Sequence, residues 1–171
     1  MYIKVAVVLI MFGIFGFVSV SYHKHESFYL GDELTNKTLV LKFKPDHTYG
    51  RKAKYKRYLF KAQGYPCELS VSGSGYNLVM EYESIKKLMD EIDEGDTIEA
   101  AIRLSDENLM YDASKDVRII GLKYNTIQLI PPEEVGKKDK ESFKITYALF
   151  SGLIFIGICI PFYKKIFMSG D

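Results

Sequence analysis

The 171 residues suffice for one modest domain and two membrane spans. Only two cysteines occur, Cys67 in the charged middle and Cys159 in an apolar run, so no disulfide framework exists and the domain has to hold itself by an apolar core. The formal net charge of +1 is the near-cancellation of two regions of opposite sign.

The chain opens with a tail, residues 1–4, and an uncharged stretch from Val5 to Val20 that Ser21 and Tyr22 extend. A hydrocarbon core of about 30 Å needs roughly 17–25 helical residues. Neither this stretch nor a second one, residues 145–163, has the polar face of a soluble core helix. The expectation is transmembrane helices over 5–22 and 145–163. The competing reading of the first stretch is a cleaved signal peptide, with Lys4 as its positive region and Ser19 and Ser21 near a weak cleavage site. The apolar run exceeds the roughly 7–15 residues of such a peptide, which favours a retained anchor. Tyr22, Tyr147 and Tyr163 lie near the expected borders, where amphipathic rings favour the headgroup layer.

Lys4, Lys164 and Lys165 place both termini inside and the middle outside. Lys137, Lys138, Lys140 and Lys144 oppose this. A loop of more than roughly 60 residues translocates largely regardless of charge, so they weigh less.

Residues 23–132 read as a soluble domain. Thr38–Lys44 alternates Leu39, Leu41 and Phe43 against polar neighbours and is expected as a strand, ended by Pro45-Asp46. Further strands are expected over Ala53–Ala62 and Cys67–Val71, with a flexible turn at Ser72-Gly73-Ser74-Gly75 and another strand over Tyr76–Tyr82. The clearest helix is 84–94, where Ile85, Leu88, Met89 and Ile92 form one apolar face. Ser84 is its expected N-cap, and Gly95 the left-handed residue that ends it. Strands follow over Thr97–Leu104, Val117–Tyr124 and Ile127–Ile130. Pro131-Pro132 then stops the sheet, and residues 133–144 read as a polar tether. A tail, 164–171, closes the chain.

The fold class is therefore a membrane-anchored α+β or mainly β protein. Two transmembrane helices flank a small antiparallel β domain with one amphipathic helix. Three strands, a helix and two or three strands is the order of an OB-like barrel, and an open α+β meander is the alternative. Closure would also remove exposed sheet edges.

The segments Gly95-Asp96-Thr97-Ile98, Ile120-Gly121-Leu122-Lys123-Tyr124-Asn125, Leu129-Ile130 and Glu133-Glu134, followed by a terminal span, resemble small bacterial two-span envelope proteins of uncharacterised function. The resemblance covers roughly the last half of the chain and is mostly turn chemistry. It implies a fold type and a membrane setting, and it brings no catalytic residue.

Charge is segregated. Lys37–Lys61 holds nine Lys or Arg against Asp46 alone, whereas Glu81–Glu107 holds ten acidic residues against Lys86, Lys87 and Arg103. Arg51, Lys52, Lys54, Lys56 and Arg57 interleave with Tyr49, Tyr55 and Tyr58. Such a strand suits anionic lipid headgroups or an anionic polymer, at about 1 kcal/mol per cation near a membrane surface. On a barrel it also suits single-stranded nucleic acid, which an extracytoplasmic domain disfavours. The simpler reading is a solvated face that pairs with the acidic region.

Asp90–Asp96 lacks the alternating ligand spacing of a calcium loop, so Asp90 and Glu94 are expected on a solvated outer face. His23 and His25 supply two imidazoles where a metal site needs about four ligands. Asn36-Lys37-Thr38 fits a glycosylation sequon, relevant only in a eukaryotic secretory pathway. No GxSxG, HExxH, phosphate-binding glycine loop or CxxC is present, and Gly73 and Gly75 fit a hairpin turn. The spans carry no charge, so no proton relay is indicated. Gly13 and Gly16 in one span, and Ala148 and Gly152 in the other, are small enough to let the helices approach.

The expected function is non-enzymatic. The domain acts by contact, as an envelope accessory, an assembly partner or an exclusion or immunity-type factor of a bacterial inner membrane, outside the cytoplasm. The alternative is a module that binds anionic lipid or polymer through Arg51–Lys61. The expected partners are the lipid bilayer and a membrane or envelope protein. No cofactor is implied.

Overall fold

The computed structural model describes residues 2–23, 33–48 and 56–167. The chain divides into two compact units, Met1–Ser27 with Asp139–Asp171, and Phe28–Lys138.

The first unit holds α1 (Tyr2–His23) and most of α4 (Pro132–Phe167). The two helices run antiparallel: Ala6 and Ile10 meet Gly157, Gly13 meets Phe150 and Ile154, and Phe17 meets Tyr147 edge to face at 4.9 Å. Missing side chains make the approach possible. A Cβ on Gly13 would lie 2.5 Å from Ile154 Cγ1, one on Gly16 2.0 Å from the Phe150 ring, and one on Gly157 2.7 Å from Ile10 Cγ1. Gly13 and Gly16 thus act as the sequence leads one to expect. Ala148 and Gly152 do not: Ala148 is exposed and a Cβ on Gly152 would meet open space. The helical period instead turns Gly157 toward α1. Val8, Phe12, Phe15, Leu149 and Phe155 face outward.

Among the described residues one helix is long and apolar enough to cross a membrane, through the stretch Pro132–Ile160; the apolar stretch of α1, Lys4–Ser19, is shorter. Two full-length spans were expected.

The second unit is α+β. β1 (Leu34–Val40), β5 (Thr97–Arg103), β7 (Gly121–Tyr124) and β8 (Ile127–Ile130) form one antiparallel sheet in the order β1-β5-β7-β8. β2 (Asp46–Thr48), β3 (Arg57–Phe60), β4 (Glu68–Ser72) and β6 (Asp116–Arg118) form the other in the order β2-β3-β4-β6, with β4 and β6 parallel. The sheets meet at two corners. At one, Leu41 bridges to Ala62, the Lys42 N–H donates to the Lys61 carbonyl at 2.7 Å, and the Gln63 N–H to the Val40 carbonyl at 2.8 Å. At the other, the chain steps from β6 to β7, with the Ile119 N–H bonded to the Ser70 carbonyl and the Ile120 N–H to the Ala101 carbonyl. Leu39, Tyr58, Phe60, Leu69, Ile98, Ile102 and Leu122 fill the interior. Burying such a side chain contributes about 1.5–3 kcal/mol, so this core dominates the stability of the unit.

α2 (Gly73–Glu81), α3 (Glu83–Glu91) and a 3-10 helix (Leu104–Tyr111) complete the unit. β1 begins before the expected Thr38, because Leu34↔Arg103 to Val40↔Thr97 pair along the whole of β5. Phe43 lies beyond the strand and is 50% exposed rather than inward. Of the expected strand Ala53–Ala62, the described part is strand only over β3. Ser72–Gly75 is not a hairpin turn: Gly73 takes φ +58 and opens α2. Tyr76–Tyr82 is therefore mostly helix, with Tyr76 and Val79 buried one turn apart.

The second helix starts at Glu83, with Tyr82 rather than Ser84 at the N-cap position, and stops at Glu91, so the expected range 84–94 is too long. Ile92 leaves in extended conformation and is itself buried. Gly95 does take a left-handed φ of +84, but it turns the chain into β5 instead of ending the helix. Val117–Tyr124 is two strands in different sheets with the corner at Ile119-Ile120, just ahead of Gly121, where a Cβ would sit 2.6 Å from Pro132. The polar tether is helical, and its first turn belongs to the domain: Val135 is buried, and Lys138 Nζ donates to Glu81 Oε2 at 2.6 Å.

Register fixes which loops share an end. Leu34, Arg103, Gly121 and Ile130 lie at one end of the first sheet; Val40, Thr97, Tyr124 and Ile127 lie at the other. The domain is thus entered at Leu34 and left after Ile130 at the same end.

Candidate functional site

Of the basic cluster expected to bind anions, Arg51, Lys52 and Lys54 lie outside the described residues, as do Tyr49 and Tyr55. Lys56 is exposed just ahead of β3. Arg57 is not available as a free cation: Nη1 pairs with Asp116, and Nη2 lies 4.0 Å from Glu68. Lys61 Nζ is 3.7 Å from the same glutamate. Lys37 pairs with Glu107, and Lys44 lies 3.8 Å from Asp93. The hydrogen bond to Glu107 holds the Lys37 ammonium above its usual range. Exposed pairs of this kind contribute about 0–1 kcal/mol each. Their consequence is local charge balance: Lys37 and Lys44 meet the acidic stretch at Glu107 and Asp93, whereas Arg57 and Lys61 meet Asp116 and Glu68 outside it.

The acidic turn closes on itself. The Asp93 N–H donates to Asp96 Oδ2 at 2.8 Å, and the Glu94 N–H to Asp93 Oδ1 at 2.8 Å. The Tyr124 hydroxyl donates to Asp96 Oδ2 at 2.8 Å. The Asp93 N–H first, and then Tyr124, hold the Asp96 carboxyl below the usual carboxylate range. No group of three or more His, Cys, Asp or Glu placed for a metal occurs among the described residues. His25 lies outside them. Asp90 is not a purely solvated carboxylate as expected: it accepts a hydrogen bond from the Tyr58 hydroxyl at 3.0 Å.

That bond belongs to a constellation of four side chains from four elements, which sequence reasoning missed. β2 supplies His47, β3 Tyr58, α2 Tyr76 and α3 Asp90. The His47 ring stacks on Tyr58 at 4.0 Å and 12°, and its Nε2 lies 3.1 Å from the Tyr76 hydroxyl oxygen. Tyr58 and Tyr76 are tilted rings 6.0 Å apart. Tyr58 comes inward because Tyr58 and Phe60 alternate with Arg57 and Leu59 along β3. Burial pushes the Tyr58 hydroxyl up, and its bond to Asp90 pushes it further. Burial also raises Tyr76. Burial lowers His47, against Asp90 and Asp46, which favour its charged form, and with Lys86, which opposes it. The group can stack, exchange a hydrogen bond and titrate.

A cleft of about 560 Å³ opens at the first corner, lined by Lys42, Ala62, Gln63, Gly64, Tyr65, Pro66 and Glu94. Its walls are mostly exposed, with one residue of each charge, Lys42 and Glu94. Ligand pockets usually combine deep apolar walls with a few placed polar groups, and this cleft lacks the depth.

No family model, curated protein or solved structure matches the chain.

Proposed function

We propose that the chain is a non-enzymatic membrane protein in which both α1 and α4 cross the bilayer and the β domain works by contact, as an accessory, assembly or exclusion factor of a bacterial inner membrane. The observation that carries this reading is the helix pair of the first unit. Glycines bring α1 and α4 together, yet Val8, Phe12, Phe15, Leu149 and Phe155 remain exposed outside. Water solvates such a surface poorly, and lipid solvates it well. An antiparallel pair puts both chain termini on one side of the bilayer and the domain on the other. The loops around Lys42–Pro45, Asp93–Asp96 and Asn125–Thr126 share one end of the first sheet and are a surface offered to a partner.

In the domain, four strands, two helices and then four strands follow one another, so the order departs from the three strands, helix and two or three strands of an OB-like barrel. The two corner links between the sheets are what supports a barrel-like closure. The mutual pairing of Arg57, Lys61, Glu68 and Asp116 weighs against the anionic-lipid alternative in the described part of the basic stretch.

A topology reporter fused after residue 30, and separately at the C-terminus, tests the reading. The expected result is the first fusion active outside the cytoplasm and the second inside. Both fusions in one compartment would overturn the two-span topology, and a reversed pair would overturn the extracytoplasmic domain. Turnover of any substrate by the purified protein would overturn the contact role.

A further inference from the structure

β2 is three residues long and, among the described residues, lies at a sheet edge and pairs with β3 alone. So short a strand makes few ladder bonds, and its hold on the domain rests on its side chains. Asp46 is exposed. His47 reaches three other elements: its ring covers Tyr58 of β3, its Nε2 meets the hydroxyl of Tyr76 on α2, and Tyr58 carries the connection to Asp90 on α3. We propose that His47 is a proton-operated latch: neutral, it fastens β2 to the face beneath α2 and α3, and protonated, it lets the strand go.

The chemistry follows from the groups around the ring. A neutral imidazole presents one nitrogen that accepts. With Nε2 in that role, the Tyr76 hydroxyl donates to it. Once protonated, Nε2 can only donate, and the hydroxyl has to turn away its hydrogen. The imidazolium would also lie against two largely buried rings, where a charge loses water. Five influences favour or oppose it. Asp46 of β2 and Asp90 of α3 favour the cation, as does the face of Tyr58. Lys86 of α3 and burial oppose it. Asp90 is partly spent on the Tyr58 hydroxyl, and Glu83 acts on that tyrosine rather than on the imidazole. Burial is the largest influence, so the folded domain holds His47 below its ordinary value of 6.5. The fold therefore favours the neutral ring. The stability it gains is complete above 6.5 and is lost as pH falls through the lowered folded value.

Hydrogen exchange of the full-length protein in detergent micelles tests the latch, with rates corrected for the intrinsic pH dependence of exchange. Between pH 7.5 and 5, the protection of the Asp46–Thr48 amides should fall about tenfold or more, while that of β5 stays unchanged. His47→Phe keeps a stacked ring without a titrating nitrogen, so its β2 should stay equally protected at both pH values. Asp90→Asn removes a charge that favours the imidazolium and should move the release midpoint to lower pH. Equal wild-type protection at both pH values overturns the proposal, as does a His47→Phe variant that loses protection in acid as the wild type does. Should His47→Phe fail to fold, the NMR titration of the wild-type His47 ring decides. A midpoint below 6.5 that falls further in Asp90→Asn supports the latch, and a midpoint at or above 6.5 overturns it.

Discussion

Asp96 and Phe60 stand well apart in the range of single-residue effects. The Asp96 carboxylate accepts from the Asp93 N–H and from the Tyr124 hydroxyl, and both bonds are exposed to solvent on one side. A typical hydrogen bond contributes about 0.5–1.5 kcal/mol net. Asp96→Ala should therefore lower stability by about 1–2 kcal/mol. Its folded pKa is depressed, so its contribution is present above the ordinary 3.8 and is lost only as pH falls through the lower folded value. A series of thermal midpoints from pH 3 to 7 should show the wild type losing an advantage over Asp96→Ala below about pH 4. An unchanged gap down to pH 3 would show that the carboxylate charge contributes nothing.

Phe60 is fully buried between the sheets, and truncation to Ala should cost about 3–5 kcal/mol. Tyr58→Phe falls near Asp96→Ala: the stack on His47 survives and the bond to Asp90 goes, at about 1 kcal/mol. Removing the exposed Lys44–Asp93 pair should be close to neutral. Urea unfolding of the four variants checks the order. If Lys44→Ala proved as costly as Phe60→Ala, the apolar core would not be what holds the domain.

The helix pair depends on which small residues face inward. Gly13→Leu and Gly157→Leu each place carbon atoms inside the neighbouring helix, whereas Gly152→Leu extends into open space. The first two should separate α1 from α4. A cysteine pair at Phe17 and Tyr147, whose rings now meet, should crosslink in the wild-type background and in Gly152→Leu but not in Gly13→Leu. Crosslinking that survives Gly13→Leu would mean the contact is not held by glycine. The sequence shows small residues in both helices but not their azimuth, which is why Gly152 looked as suitable as Gly157.

The same limit explains what was legible in the domain. β5 was plain because Ile98, Ala100 and Ile102 alternate and all point into the core. Gly95 and Asn125 marked real turns, at φ +84 and +49. α2 was hidden because Tyr76–Tyr82 is short and apolar at both helical and strand spacing. The strand ending at Tyr124 was read as continuous because the corner at Ile119-Ile120 is made by tertiary contact with Ser70 and Ala101, not by a breaker residue. The His47 constellation was beyond any local pattern, since His47 and Tyr76 are 29 positions apart and Tyr58 and Asp90 are 32.

At the scale of the whole molecule, the decisive question is what solvates the outside of α1 and α4. Phe15 is 76% exposed and Phe155 is 68% exposed. In water, exchanging such a residue for Arg would relieve an apolar surface, and the variant should be as stable and more soluble. In hydrocarbon, an Arg near the centre of a helix costs about 2.5–3.5 kcal/mol on the insertion scale. Phe155→Arg should accordingly weaken the anchor that α4 supplies and raise the fraction of protein released from membranes by an alkaline wash. Phe15→Arg should leave the protein membrane-bound through α4 but draw α1 toward the surface, exposing a cysteine placed at Ile14 to a membrane-impermeant thiol reagent. If both variants gained solubility without detergent and stayed monomeric, the apolar outer face would belong to a soluble assembly, and the bilayer would lose its place in the account.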